Sequence, residues 1–228
     1  MRISLLRERE DFEAIFSQSL QSYFDVRFNA SISTRWSGNH AGDFICNDFL
    51  NILFHRKIST RLLDNFTQEF RYQANPIRRF AQTAYVSLAC RKGVRRLTCR
   101  RRLEISPTIT ESKNWVFIPG NHSIRYIDLN KQRSCVFPKT GFRTNFLEAE
   151  INNRINHASH IAPKILDRGS KNEWFEEEIV TGLPHNRLSQ VHEREQLLSE
   201  AKNGLFQIYQ KTTASQSASE HFNLLRSR

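Results

Sequence analysis

The hydrophobic pattern of this chain changes period once, at Trp115. Before that point apolar residues recur at helical spacing. After it they come in short runs broken by turn residues, the mark of strands. Phe12, Ile15, Phe16, Leu20 and Phe24 stripe one face of a helix over 5–24. A polar, turn-rich break follows from Ser31 to Gly42, and Asp43 then stands as N-cap of a second helix carrying Phe44, Phe49, Leu50 and Leu53. Ser59 or Thr60 caps a third, with Leu62, Leu63, Phe66 and Phe70 on one face. Pro76 opens a fourth that runs to Cys90 and is ended by Gly93. The expectation is an all-helical first hundred residues with a Phe-rich core.

From Trp115 onward, NWVFIPGNHSIRYIDL reads as two strands about a Gly120-Asn121 turn, and KQRSCVFPKTG adds a third. FRTNFLEAEINNRIN returns to helical spacing through Phe146, Leu147, Ile151 and Ile155. APKILDRGSKNEWFEEEIVTG supplies two more strands around a Gly-Ser turn. In the last of these Phe175, Glu177 and Ile179 share one face, and Trp174, Glu176, Glu178 and Val180 the other. Each face mixes carboxylate with apolar groups, so at least one Glu lies against a buried surface. The order β-β-β-α-β-β predicts an α+β protein: a helical domain over 1–110, a β-lobe over 114–184 with the boundary at 103–114, and a helical segment over 185–228. That last segment carries Leu197, Leu198, Ala201, Leu205 and Ile208, and a polar linker at 211–219.

Charge narrows the partners. The 228 residues carry a net +11, and ten Lys or Arg fall between Arg71 and Arg102 with no Asp or Glu among them. Residues 114–228 hold 15 basic and 12 acidic groups, so one element dominates the charge. A patch this concentrated implies an anionic partner. Arg91, Lys92, Arg95, Arg96, Arg100, Arg101 and Arg102 are the candidate polyanion contacts. An anionic membrane surface or lipid-linked substrate is favoured over nucleic acid, because no reader motif accompanies the patch and its aromatics, Phe80 and Tyr85, are sparse. Docking on the acidic run at 173–178 is a further alternative. No apolar run approaches the roughly 20 residues of a membrane span. Cys46, Cys90, Cys99 and Cys135 are widely spaced and read as reduced thiols of a cytoplasmic protein. His157 and His160 stand three apart with no Cys nearby, which does not make a metal site.

PGNHSIRYID, CVFPKTG, FLEAEINNR and WFEEEIVTGLP, in that order, resemble the N-terminal lobe of the aminoglycoside phosphotransferase and choline kinase branch of the protein-kinase-like fold. The resemblance covers about residues 115–210. It implies a five-stranded antiparallel sheet with one packed helix, and ATP as ligand. Gly120 would allow close approach to the phosphates, Ser123 would donate to them, and Lys139 would orient them. Glu150, with Glu148 as runner-up, would hold the Lys139 ammonium, and Glu178 to Val180 would offer backbone groups to adenine. Mg2+ would need the catalytic half. The family's H-G-D-x-x-x-x-N loop and later metal-binding Asp have no counterpart: no His-x-Asp follows Val180, and the last Asp is Asp167. The resemblance thus implies an ancestral ATP-dependent phosphorylation of a sugar or amino-alcohol hydroxyl, and a truncated chain, inactive alone. The rival expectation is a non-catalytic binding module that uses the basic helical region on membrane or nucleic acid.

Overall fold

Asp11 divides the first helical stripe in two. Its carboxylate accepts the Ala14 N–H at 3.2 Å, so α1 (Ile3–Arg9) stops and α2 (Phe12–Phe28) starts afresh. In this computed structural model residues 3–38, 42–73, 75–95, 99, 101–159, 162–180 and 191–212 are described. After α2 come β1 (Ser33–Ser37), β2 (Phe44–Asn47), β3 (Ile52–His55), α3 (Thr60–Phe66), α4 (Pro76–Cys90) and β4 (Arg101–Ser106). Then follow β5 (Trp115–Pro119), β6 (Ser123–Asp128), β7 (Arg133–Pro138), α5 (Asn145–Asn156), β8 (Ile165–Arg168), β9 (Phe175–Glu178) and α6 (Val191–Thr212). The protein is α+β. Among the described residues nine strands form one antiparallel sheet in the order β1-β4-β2-β3-β5-β6-β7-β9-β8.

The five strands expected after Trp115 are present, with α5 between the third and the fourth. The first hundred residues are not all-helical, however. Where a second helix was expected, β2 and β3 make a hairpin, and Asn51 in its turn takes a φ of 56°. The misreading has a physical cause. All four residues of each strand are buried, because the sheet is covered on both faces, and a short apolar run without alternation does not separate strand from helix. β1 occupies the stretch read as a turn-rich break, and β4 the end of the basic segment. Pairing of Leu53 with Phe117 and Phe54 with Val116 joins β3 to β5. The sheet therefore continues across 103–114, where a domain boundary was expected, and the five strands are not a free-standing lobe. The chain divides instead into Met1–Ile151 with Ile165–Ile179, and Asn152–Lys164 with Val180–Arg228. The helix expected beyond residue 185 is α6, which extends to Thr212; the remainder of the 211–219 linker lies outside the described residues.

Strand alternation sorts the side chains of the larger unit. Phe44, Leu103, Phe117, Tyr126, Cys135 and Phe137 pack on one face against Phe12, Phe16, Leu20 and Tyr23 of α2. Ile45, Phe54 and Val116 pack on the other against Leu63 of α3 and Val86, Ala89 and Cys90 of α4. Farther along that second face, Leu147 and Ile151 of α5 rest on Val136 and Phe175. All four cysteines are buried and none is in a disulfide.

Candidate functional site

Three of the residues expected at a nucleotide meet at one end of the sheet. The Gly120 N–H donates to the Ser123 carbonyl at 2.8 Å, and the Lys139 N–H donates to the His122 carbonyl at 2.9 Å. A Cβ on Gly120 would stand 2.9 Å from the Ser123 carbonyl oxygen, so the tightness of the turn itself requires glycine. Glu178 pairs with Arg133, at the opposite end of β7 from Lys139. Strand rise puts about 17 Å between those ends. Val180 is exposed.

The Lys139 side chain does not meet Glu150. It keeps the parity of Cys135 and Phe137 and so enters the α2 face, where Thr140 N–H donates to Ser19 Oγ of α2 at 2.8 Å. There its ammonium pairs with Glu10, at the junction of α1 and α2, and lies 5.7 Å from the centre of the Phe142 ring. Its side chain is 1 % exposed. α5 packs on the opposite face, with Glu150 half-buried and Glu148 exposed. The expected Lys139–Glu150 pair and its Glu148 alternative are therefore both replaced, because one residue of register sends Lys139 to the wrong side of the sheet.

At the other end of α2 from Glu10 lies a buried polar cluster that the sequence did not reveal. Arg27 pairs with Glu176, donates to the Tyr23 hydroxyl, and donates to the Tyr126 hydroxyl at 3.0 Å. Its guanidinium carbon sits 4.4 Å from the centre of the Trp174 ring. Arg133 reaches Glu176 from the other side at 3.1 Å. Burial pushes the Cys135 thiol up to about 12 and raises both tyrosines, so all three stay neutral at pH 7. The neighbouring cleft offers Arg27, Lys131 and Arg133 against Glu111, Asp128 and Glu176. Charges are balanced there and no thiolate is available, so neither anion capture nor nucleophilic chemistry is favoured. The only sequence signal was the expectation that a Glu of β9 is buried; Glu176 and Glu177 both are.

Against family models, curated proteins and solved structures, the chain returns no match. Function is left to the geometry.

The basic segment separates into structural and exposed groups. Arg95 and Arg102, expected on a polyanion surface, are each 3 % exposed. The Arg95 guanidinium donates to the carbonyls of Arg56 and Ile58, and the Arg102 guanidinium approaches its neighbour's carbonyl at 3.5 Å. Arg101 pairs with Glu13 and Arg71 with Asp64. Arg96 and Arg100 lie outside the described residues. What remains is Arg78, Arg79, Arg91 and Lys92, all exposed and none in an ion pair with a described residue. Asn75 caps α4, accepting the N–H of Ile77 at 3.0 Å and of Arg78 at 3.1 Å. In the first turn beyond that cap Ile77 and Phe80 are 79 % and 78 % exposed. Among the described residues no helix is long and apolar enough to cross a membrane, and no group of three His, Cys, Asp or Glu stands ready to hold a metal ion.

Proposed function

We propose that residues 115–179 are a nucleotide-binding lobe of the phosphotransferase type, similar to the aminoglycoside phosphotransferase and choline kinase branch. Its ancestral reaction is ATP-dependent phosphorylation of a sugar or amino-alcohol hydroxyl, and this chain binds nucleotide weakly without transferring phosphate. One observation carries the reading. β5, β6, β7, β9 and β8 are consecutive antiparallel neighbours, and the helix between β7 and β8 packs on them through Leu147 and Ile151. The Gly120–Ser123 turn then covers the phosphates, and Glu178 and Ile179 meet adenine. Lys139 reaches a phosphate only by leaving Glu10, so the ion pair competes with nucleotide. No step is assigned to Mg2+, since no described cluster of carboxylates stands ready for it.

Titration calorimetry with ATP tests this at a temperature where every variant is folded. ATP binds near the millimolar range, about 4 kcal/mol weaker than a micromolar site. Glu10→Gln tightens it and Lys139→Ala loosens it, and no hydroxyl acceptor supports turnover. Absence of ATP binding in all three proteins overturns the lobe reading. Phosphoryl transfer abolished by Lys139→Ala overturns its non-catalytic part.

A second reading is favoured by Ile77 and Phe80, two large apolar side chains left in water beside Arg78 and Arg79. In this reading the first turn of α4 docks on an anionic membrane. Each buried side chain contributes about 1.5–3 kcal/mol and each nearby cation about 1 kcal/mol. Sedimentation with phosphatidylserine vesicles, lost on Ile77→Ser/Phe80→Ser and at high salt, is the expected result. Binding to duplex DNA but not to vesicles transfers the patch to nucleic acid and overturns the membrane reading.

A further inference from the structure

Four cationic residues converge where the chain leaves β3 and where it leaves α4. Arg56 and Lys57 form the turn after β3, Lys92 and Arg95 follow the end of α4, and with Ile45 of β2 they line a cavity of about 190 Å³. Arg95 is the fixed member. Its buried guanidinium donates to the Ile58 carbonyl at 3.3 Å and to the Arg56 carbonyl, which ties the 56–58 turn to the segment after α4. Arg56 gives its Nε to Asp43 at 3.2 Å, while its two terminal nitrogens have no partner among the described residues. The ammonium groups of Lys57 and Lys92 are likewise unpaired among the described residues, and both side chains reach solvent.

Asp43 thus offsets one of the three positive charges of Arg56, Lys57 and Lys92, which gather with Arg95 around one small space. Like charges held this close repel unless an anion sits between them. The occupant that suits the donors is compact, carries more than one negative charge, and shows oxygens on several sides. A carboxylate offers one charge, and so does each phosphodiester of a nucleic acid. A phosphate monoester carries about −1.5 to −2 at neutral pH with three strong acceptor oxygens, and Arg recognises such a group by paired N–H donation. Ile45 adds an apolar wall for the organic part of the ester. We infer that this cavity is a binding site for phosphate monoesters. It is separate from the Gly120 turn, since β2 lies three strand spacings from β6, about 14 Å across the sheet. It does not depend on the nucleotide reading of the β-lobe.

The test is titration of the full chain with inorganic phosphate, glycerol 3-phosphate and the diester dimethyl phosphate, read by calorimetry and by thermal shift. Lys57→Ala/Lys92→Ala is the site variant, and Lys171→Ala/Lys202→Ala, at exposed residues outside every site named above, is the control of equal charge loss. Phosphate and glycerol 3-phosphate bind saturably, the diester at least about tenfold more weakly, and the site variant weakens phosphate by about tenfold or more while the control does not. Lowering the pH from 7.5 to 5.5 weakens binding as the dianion takes a proton near pH 6. Vesicles containing phosphatidic acid form the second arm. Retention on them lost in the site variant assigns the monoester to a lipid headgroup, and saturation by soluble phosphate without retention assigns it to a small molecule. Equal phosphate affinity in wild type and site variant overturns the inference, as does equal binding of diester and monoester or an equal loss in the control.

Discussion

Replacing Lys139 separates two roles that one side chain cannot hold together. Its side chain is 1 % exposed, and that of its partner Glu10 is 11 % exposed, so the pair is nearly dry. Lys139→Met keeps the aliphatic stem and deletes only the charge, leaving the Glu10 carboxylate without its counter-ion. Removing one member of a buried pair costs about 3–5 kcal/mol; the residual exposure of Glu10 lets some water in and puts the expectation near 3 kcal/mol. For a chain of this size a urea slope of about 2–3 kcal/mol/M turns this into a midpoint lowered by about 1–1.5 M. Lys139→Met/Glu10→Leu replaces both charges with apolar groups and recovers most of the loss, since a buried pair exchanged whole is nearly neutral. Urea melts followed by tryptophan fluorescence on the wild type, both single variants and the double complete the cycle. A Lys139→Met protein within about 0.5 kcal/mol of wild type would refute the reasoning, because it would mean that the ammonium is hydrated and free.

Three further perturbations follow from local geometry. His55 is buried, its Nδ1 accepts the Lys57 N–H at 3.1 Å, and burial lowers its pKa to about 4. The folded state therefore holds the proton less tightly than the unfolded chain does. Stability is full above about pH 6.5 and falls by about 3 kcal/mol as pH drops towards 4, a slope that His55→Asn should flatten in paired melts. Asn75→Ala removes the cap of α4 and costs about 1 kcal/mol, read as a thermal midpoint lower by about 2–4 °C. Gly120→Ala drives a Cβ towards the Ser123 carbonyl and costs about 1–2 kcal/mol by urea melt, with or without nucleotide.

The second half of the fold was legible because turn residues cut it into short apolar runs, although β5 and β7 are nearly as buried as the strands before them. Val116, Ile118 and Phe117 declare opposite faces, and Gly120-Asn121 and Gly169-Ser170 mark the turns. The first half hid its strands behind two masks. Phe44 to Asn47 and Ile52 to His55 are buried on both faces and lose the alternation. β4 begins with Arg101 and Arg102, and its Leu103 and Ile105 were lost in a run read as charge alone. The candidate site suffered from distance along the chain. Glu10 and Lys139 lie 129 residues apart, and Arg27 and Glu176 lie 149 apart. No local pattern can pair such residues, whereas the Gly120 turn, whose partners are three residues apart, was found.

β4 sits between β1 and β2, and that placement sets a timetable. Ser33 and Ser106 are 73 residues apart, yet they face each other in adjacent strands. A ribosome adding about 5–20 residues per second leaves β1 and β2 waiting several seconds for the strand that joins them. During that wait the β2–β3 hairpin is complete but carries an unpaired edge along Phe44, Ile45 and Cys46, the kind of surface that pairs with the wrong chain. β5, β6 and β7 need only short loops to close and belong to the fast end of sheet formation. β1, made first, is therefore the strand that waits longest for its neighbour. A nascent chain halted at about one hundred residues would present its most aggregation-prone edge to the chaperones that meet it.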